Sequence, residues 1–274
     1  MNRTVPPVSD LPMPPLPGGG ERWALFLDVD GTLLDFQDDP AAVSVDPSLR
    51  RRLLALHDAL EGAVALVSGR ALADLERLFD LPWAMAGLHG LELRHADGTR
   101  RVLPVNSASL DLLRQRARQL TRTLEGVQLE DKGSAVALHC RRHPDRYDTL
   151  LAAAAELADS LEGYELQAGN LVTEIKPEGM DKGRAVTALL ERPPFRDRRP
   201  VYLGDDLTDE HAFAAIDRRD GWAIRVGDRT PTAARFTLPS PAAVQHWLAC
   251  VLDAIQQGAP SHALRPEGEP SGPA

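Results

Sequence analysis

Two cysteines occur in the chain, Cys140 and Cys250, and they form no CxxC pair. Neither a zinc site nor a disulfide framework finds support, and a reducing, cytoplasmic setting is expected. No run approaches the ~18 uninterrupted apolar residues of a membrane span. The N-terminus lacks the basic-then-apolar plan of a signal peptide. A basic excess is missing too: the net charge is −9, so nucleic acid is not an expected partner. No GxGxxG follows a strand and no GxxxxGK[ST] occurs, which leaves a nucleotide-binding Rossmann reading without a motif. Internal repeats are absent. The 274 residues, 43% of them hydrophobic, suit one large domain or two smaller ones with a real core.

Residues 1–21 and 257–274 are rich in proline and glycine and lack apolar periodicity; both are expected to be disordered tails. Between them short apolar runs alternate with amphipathic stretches. WALFLDV (23–29), GAVALVSGR (62–70), PVYLGDD (200–206) and WAIRV (222–226) read as strands. Segments 47–60, 71–80 and 208–216 read as helices, the first with Pro47 at its start and Gly62 past its end. This alternation predicts an α/β fold with a parallel sheet covered on both faces. The middle differs. Helices at 107–125 and 145–162 are each followed by two strands, joined around Lys132-Gly133 and around Gly169-Asn170. That order predicts helices on one face of an antiparallel sheet. A second α/β domain is therefore expected at 104–176, inserted into a first made of 22–103 and 177–256.

The stretch LFLDVDGTLLD (25–35) places Asp28 and Asp30 directly after an apolar strand. Two other strands also end in polar groups, one in Ser68 and one in Asp205 with Asp206. Ligands of open parallel sheets sit beyond the carboxyl ends of the strands, so the fold gathers these groups at one edge. Like-charged acids there need a cation, and carboxylates with a backbone carbonyl and water suit Mg²⁺. A nearby lysine is expected to complete the compensation. Taken alone, Asp28 and Asp30 could be solvated loop residues; the strand-terminal Ser-Gly and the later GDDLTDE argue against that.

DVDGT, SGR, the lysine of MDKGRAV and GDDLTDE, in that order over residues 28–210, resemble the motifs of haloacid-dehalogenase-like (HAD) phosphatases. The resemblance implies a Rossmann-like core with Asp28 as nucleophile, forming an aspartyl phosphate. It implies that Asp30 protonates the leaving oxygen, later activates water, and offers its backbone carbonyl to Mg²⁺. Thr32 would hold the turn, Ser68 with Gly69 would bind a phosphoryl oxygen, and Lys182 would neutralise charge. Asp205 would bind the metal, with Asp206 and Asp209 in support. Arg70 could face the phosphate or cap the next helix.

An insert between Ser68 and Lys182 is where this superfamily often carries a specificity cap. AGLHGLEL (86–93), VQLEDKGSAVALHCR (127–141), LVTEIKPEGMDKGRAV (171–186) and GDDLTDE (204–210) resemble segments of trehalose-6-phosphate phosphatases. The resemblance covers about residues 22–250. It implies a small-molecule substrate, trehalose 6-phosphate, and a functional link to a separate synthase, since no synthase domain accompanies this chain. It implies sugar contacts from Glu130, Lys132 and Glu174, with His89, Arg141 and Lys176 as weaker candidates. His139 alternates with the apolar residues of its strand, so a structural role is at least as good an expectation for it. Two linkers, near 94–106 and 176–181, would let the cap close. Val29 departs from an aromatic found in relatives and is expected to alter packing only. Another sugar phosphatase, for sucrose phosphate or mannosyl-phosphoglycerate, remains an alternative. So does a catalytically silent sugar-phosphate-binding regulator.

Overall fold

The computed structural model describes residues 11–18, 20–36, 43–169 and 171–258. They form two sheets. The larger has eight strands: β1 (Trp23–Leu27), β2 (Val64–Val67), β3 (Ala84–Gly87), β4 (Glu92–Arg94), β5 (Arg100–Val102), β10 (Arg199–Gly204), β11 (Trp222–Val226) and β12 (Phe236–Leu238). Their spatial order is β12-β11-β10-β1-β2-β3-β4-β5. Pairing is parallel from β12 to β3, and β4 and β5 continue antiparallel at one edge. All five residues of β1 are buried, so both faces of the sheet's centre are covered. Helix α1 (Pro47–Ala59) packs on α7 (Pro241–Gly258), and α5 (Lys182–Leu190) packs on α6 (Asp209–Asp217). Helix α2 (Leu72–Phe79) covers β3 and β4.

Local chemistry sets these elements. Asp46 caps α1 by accepting from the Ser48 N–H at 2.7 Å, and Pro47 occupies the first turn. Leu49, Leu53 and Leu56 make its buried stripe. Asp181 caps α5 in the same way, accepting from Arg184 N–H at 2.7 Å, which puts Lys182 at the helix's first position.

The second sheet has the order β6-β7-β9-β8 and is antiparallel throughout. Its strands are β6 (Gln128–Asp131), β7 (Val136–His139), β8 (Tyr164–Gly169) and β9 (Val172–Pro177). Helices α3 (Ser107–Thr123) and α4 (Tyr147–Asp159) pack on one face through their own apolar cluster, which includes Leu113, Leu138, Leu150 and Ile175. A small cluster of Leu91, Ala135 and Met180 joins the two sheets. The expected α/β class, with a large parallel sheet and an antiparallel second unit, is the one observed.

Three expectations need correction. The strand expected over 23–29 ends at Leu27, so Asp28 lies just past it. The expected linker at 94–106 contains β5, because Asp97-Gly98 makes a tight hairpin with Gly98 at φ +82°. Residues 11–18 of the expected N-terminal tail lie against the larger sheet's edge. There Pro12 O accepts from Thr237 N–H at 3.1 Å, and Pro14 O accepts from the Trp247 indole N–H at 3.3 Å. A largely buried indole needs an acceptor, and the proline-rich segment supplies it. Residues 1–10 and 259–274 lie outside the described residues; 257 and 258 belong to α7.

Helices α5 and α6 approach closely at Gly183, where a Cβ would sit 2.3 Å from the His211 carbonyl oxygen. Alanine improves helix propensity by ~1 kcal/mol, while a clash with helix backbone costs ~1–3 kcal/mol. We predict that Gly183→Ala lowers stability by about 1–2 kcal/mol, read from the urea midpoint. A stabilised variant would refute the close approach.

Candidate active site

The carboxyl ends of β10, β1 and β2 are neighbours, and each delivers a polar group to one place. Asp28 follows β1, and its N–H still donates to Leu203 O at 3.0 Å, which extends the ladder by one bond. The chain then turns through Gly31 at φ +78°. A Cβ on Gly31 would lie 2.2 Å from an Asp205 carboxylate oxygen, so the position demands glycine twice over. The Thr32 hydroxyl lies 3.1 Å from Asp28 Oδ2 and 3.3 Å from Asp205 Oδ1, bridging the two acids. Gly204 ends β10 and allows Asp209 to fold back beside it; a Cβ there would be 2.3 Å from the Asp209 carboxyl carbon.

Lys182 enters from the first turn of α5. Its ammonium donates to Asp28 Oδ1 and to Asp209 Oδ1, both at 2.7 Å, and it is 2% exposed. Burial works against its charge, yet Asp209 and Asp28 outweigh that and hold it firmly protonated. Asp209 is fully committed. Oδ1 also accepts from the Tyr202 hydroxyl at 2.6 Å, and Oδ2 accepts from the N–H groups of Asp205 and Asp206. It therefore supports Lys182 and the loop. Asp206 itself is exposed.

The charge balance is short of one cation. Burial, opposed by Lys182 and reinforced by Asp209 and Asp205, raises Asp28 well above the usual carboxylate range. Burial and then Asp209 push Asp205 up to about 6. One ammonium serves two buried carboxylates and leaves Asp205 over. Carboxylate oxygens of Asp28, Asp205 and Asp209 lie within 4.8 Å of one another. Hard oxygen donors with surplus negative charge fit a divalent cation such as Mg²⁺. Because Asp209 is used up, Asp28 and Asp205 are the carboxylates left to hold one.

Ser68 follows β2, is buried, and accepts from the Arg70 N–H at 3.1 Å. Among the described residues Arg70 also finds a partner that the sequence reading did not name. Its guanidinium grips Asp30 through two bonds, Nε to Oδ2 and Nη2 to Oδ1, each 2.7 Å. The cap of α2 comes from Glu92, which accepts from Leu72 N–H at 2.7 Å. His89 lies over Gly69, and its N–H donates to Ser68 O at 2.9 Å.

The second sheet presents one polar face. Pairing sets Glu130 opposite Ala137, Ala137 opposite Glu174, and Glu174 opposite Gln167. Alternation then puts Glu130, Lys132, His139, Glu174 and Lys176 on the face away from α3 and α4. Lys132 pairs with Glu174 at 3.1 Å, and His139 pairs with Glu130 at 2.9 Å. Glu174 Oε1 is buried with no partner among the described residues. Lys176 is 3% exposed, and its ammonium is committed to Met180 O and, at 3.6 Å, to Glu165. Arg141 lies past the end of β7, exposed.

The sequence profile of the trehalose-phosphatase family matches residues 26–242. The chain belongs to the trehalose-phosphatase family. A probable trehalose-phosphate phosphatase of Sinorhizobium fredii is 42% identical over 236 residues, 84% of this chain and 88% of that one. The trehalose-6-phosphate phosphatase of Escherichia coli is 35% identical over 247 residues, 90% of this chain and 92% of that one. In fold the chain is similar to the C-terminal domain of the Candida albicans trehalose-6-phosphate phosphatase. That match has a TM-score of 0.73 at 23% identity and covers 85% and 93% of the two chains. The fold is HAD-like, a parallel-sheet core with an antiparallel cap, and this family member is a phosphate monoester hydrolase. No helix among the described residues is long and apolar enough to cross a membrane.

Sequence reasoning missed Tyr202 and Arg229. Tyr202 is a buried phenol on a strand whose other buried residues are apolar, and its hydroxyl had to find an acceptor. Arg229 donates to Asp205 O at 3.1 Å from a loop with no motif.

Asp205 titrates near 3.8 when unfolded and at about 6 when folded. The folded state binds the extra proton between those values, so this group costs stability as pH rises through them, and fully above. A divalent cation relieves that cost. We predict a larger rise in Tm on adding Mg²⁺ at about pH 7.5 than at about pH 5. Equal shifts would mean that the metal does not meet these acids.

Proposed function

We propose that the protein hydrolyses trehalose 6-phosphate to trehalose and phosphate, with Mg²⁺, through an aspartyl phosphate on Asp28. The observation that carries this reading is Asp28 just past the end of the central strand, fixed 2.7 Å from a buried lysine, with Ser68 past the end of the neighbouring strand. A carboxylate approaches a phosphate dianion only when charge on both is shielded.

Asp28 attacks phosphorus, and the bond from phosphorus to the sugar oxygen breaks. Asp30, released from Arg70, gives that oxygen its proton. It then takes a proton from the water that cleaves the aspartyl phosphate, so phosphate leaves and Asp28 is restored. Lys182 and the Ser68 hydroxyl donate to phosphoryl oxygens. Asp28, Asp205 and the Asp30 carbonyl would hold the metal, which would supply charge neutralisation at the phosphoryl oxygens.

We further propose that residues 104–176 form the cap domain, between core segments 22–103 and 177–256, and that the cap reads the sugar. Glu130 and Glu174 accept from hydroxyls of the distal glucose, and Lys132 donates to it. The unpartnered, buried Oε1 of Glu174 supports this role. Lys176 acts instead on the Met180 turn that carries the chain back to the core. Closure of the cap on its two crossings brings the polar face to the core and excludes water. The reaction ends trehalose synthesis, so a separate synthase supplies the ester. The free cysteines fit a cytoplasmic setting.

Phosphate release from the 6-phosphates of trehalose, glucose and sucrose, and from mannosyl-phosphoglycerate, with Mg²⁺ and with EDTA, tests the reading. We expect strong, metal-dependent release from the trehalose ester. We also expect Asp28→Asn to lower turnover more than about a thousandfold. Preference for another ester would overturn the substrate, and an active Asp28→Asn protein would overturn the mechanism.

A further inference from the structure

Asp205 brings its carboxylate to the site from residues 205–208, the chain between β10 and α6. Its backbone is held at both ends. The N–H donates to Asp209 Oδ2, and the carbonyl accepts from Arg229 Nε, each at 3.1 Å. Asp209 is a close neighbour in sequence. Arg229 comes from 24 residues away, on residues 227–235 between β11 and β12. With both backbone groups taken, the side chain is the part of Asp205 left to act.

Arg229 is itself anchored. Its carbonyl accepts at 3.0 Å from Nη1 of Arg225, a β11 residue only 1% exposed, whose Nη2 donates to the Thr237 hydroxyl of β12. The Nη2 of Arg229 pairs with Glu210 Oε1 at 3.1 Å. Glu210 Oε2 accepts from Ala233 N–H at 2.7 Å. One carboxylate in the first turn of α6 thus holds the 227–235 segment at two points. A planar guanidinium with two donors committed to different partners has little freedom left. Arg70 grips the carboxylate of Asp30 and neutralises it. Arg229 takes the Asp205 carbonyl instead, so the Asp205 carboxylate keeps its charge for a cation.

Building on the metal-dependent reading above, we propose that Arg229, clamped by Glu210, is a positioning residue for the metal site: it sets the Asp205 backbone so that the carboxylate lies beside that of Asp28 before a divalent cation binds. Groups that orient metal ligands from behind typically account for ~10–100-fold in metal affinity or activity. The sign of the effect separates this role from one of charge. A cation near the site repels a divalent ion, so losing Arg229 for its charge alone would tighten metal binding. Losing it as the group that places Asp205 would loosen metal binding.

Titration calorimetry of Mg²⁺ into the metal-stripped full chain tests this, beside the Mg²⁺ dependence of ester hydrolysis. Arg229→Met should raise the Mg²⁺ Kd about tenfold or more, yet reach a kcat within about threefold of wild type at saturating Mg²⁺. Arg229→Lys, which keeps the charge and loses the fork, should weaken Mg²⁺ binding by at least about threefold. It carries the test alone if Arg229→Met does not fold. Arg235→Met removes a cation from the same segment, where it pairs with Asp217 at the surface, and should leave the Kd within about twofold. Unchanged or tighter Mg²⁺ binding in the Arg229 variants would overturn the proposal. A lowered kcat at every Mg²⁺ concentration with the Kd unchanged would make Arg229 a prop of the fold and overturn it as well. A wild type that binds no Mg²⁺ would instead count against the metal reading on which the proposal rests.

Discussion

One ammonium group organises this protein. Lys182 is bound at 2.7 Å by Asp28, 154 residues before it, and by Asp209, 27 residues after it. Removing the lysine would leave two buried carboxylates without their shared counter-charge, and breaking a buried pair in this way in general costs ~3–5 kcal/mol. The three elements that meet there are therefore interlocked: the end of β1, the first turn of α5, and the start of α6. Tyr202 and the N–H groups of Asp205 and Asp206 fix Asp209 in turn. Asp28 is held by fewer donors: its Oδ2 lies 3.1 Å from the Thr32 hydroxyl, which also lies 3.3 Å from Asp205 Oδ1.

The cap solves a different problem with a different device. Its sheet is amphipathic by alternation, so one face is spent on the cluster with α3 and α4 and the other is free to be polar. Register puts Glu130, Ala137, Glu174 and Gln167 in one row across the four strands. Ala137 in that row is small, which leaves room between the acids and Lys132. The junction cluster of Leu91, Ala135 and Met180 is the apolar contact holding this face over the core. It is small beside the two main cores.

Much of this arrangement is legible in the sequence, and the exceptions share a cause. Strands of uniform apolar character such as WALFL and WAIRV announce themselves, and so do Asp28, Ser68, Lys182 and Asp205 at the ends of elements. The parity of Glu130, Lys132 and Glu174 could be read from alternation once the hairpins were recognised. What escaped was decided by long-range partners. The pairing of Arg70 with Asp30, 40 residues back, is set by the sheet. Residues 11–18 look like a disordered proline-rich tail until Thr237 and Trp247 offer donors for their carbonyls. The hairpin at Asp97-Gly98 carried a local signal, but its strands are only three residues each, too short for periodicity to register.

The excess of acid at the strand ends also dictates an order of events. A phosphate dianion reaching this edge meets surplus negative charge at Asp205, because Lys182 is already shared by Asp28 and Asp209 and Arg70 is paired with Asp30. At an effective dielectric of ~20, each unit charge at ~4 Å contributes ~4 kcal/mol, which no hydrogen bond from Ser68 can offset. A divalent cation held by Asp28 and Asp205 would offset that charge, and it would leave Lys182 freer to donate to a phosphoryl oxygen. The acid left over at this edge is therefore the charge that a cation has to meet before a dianion can approach.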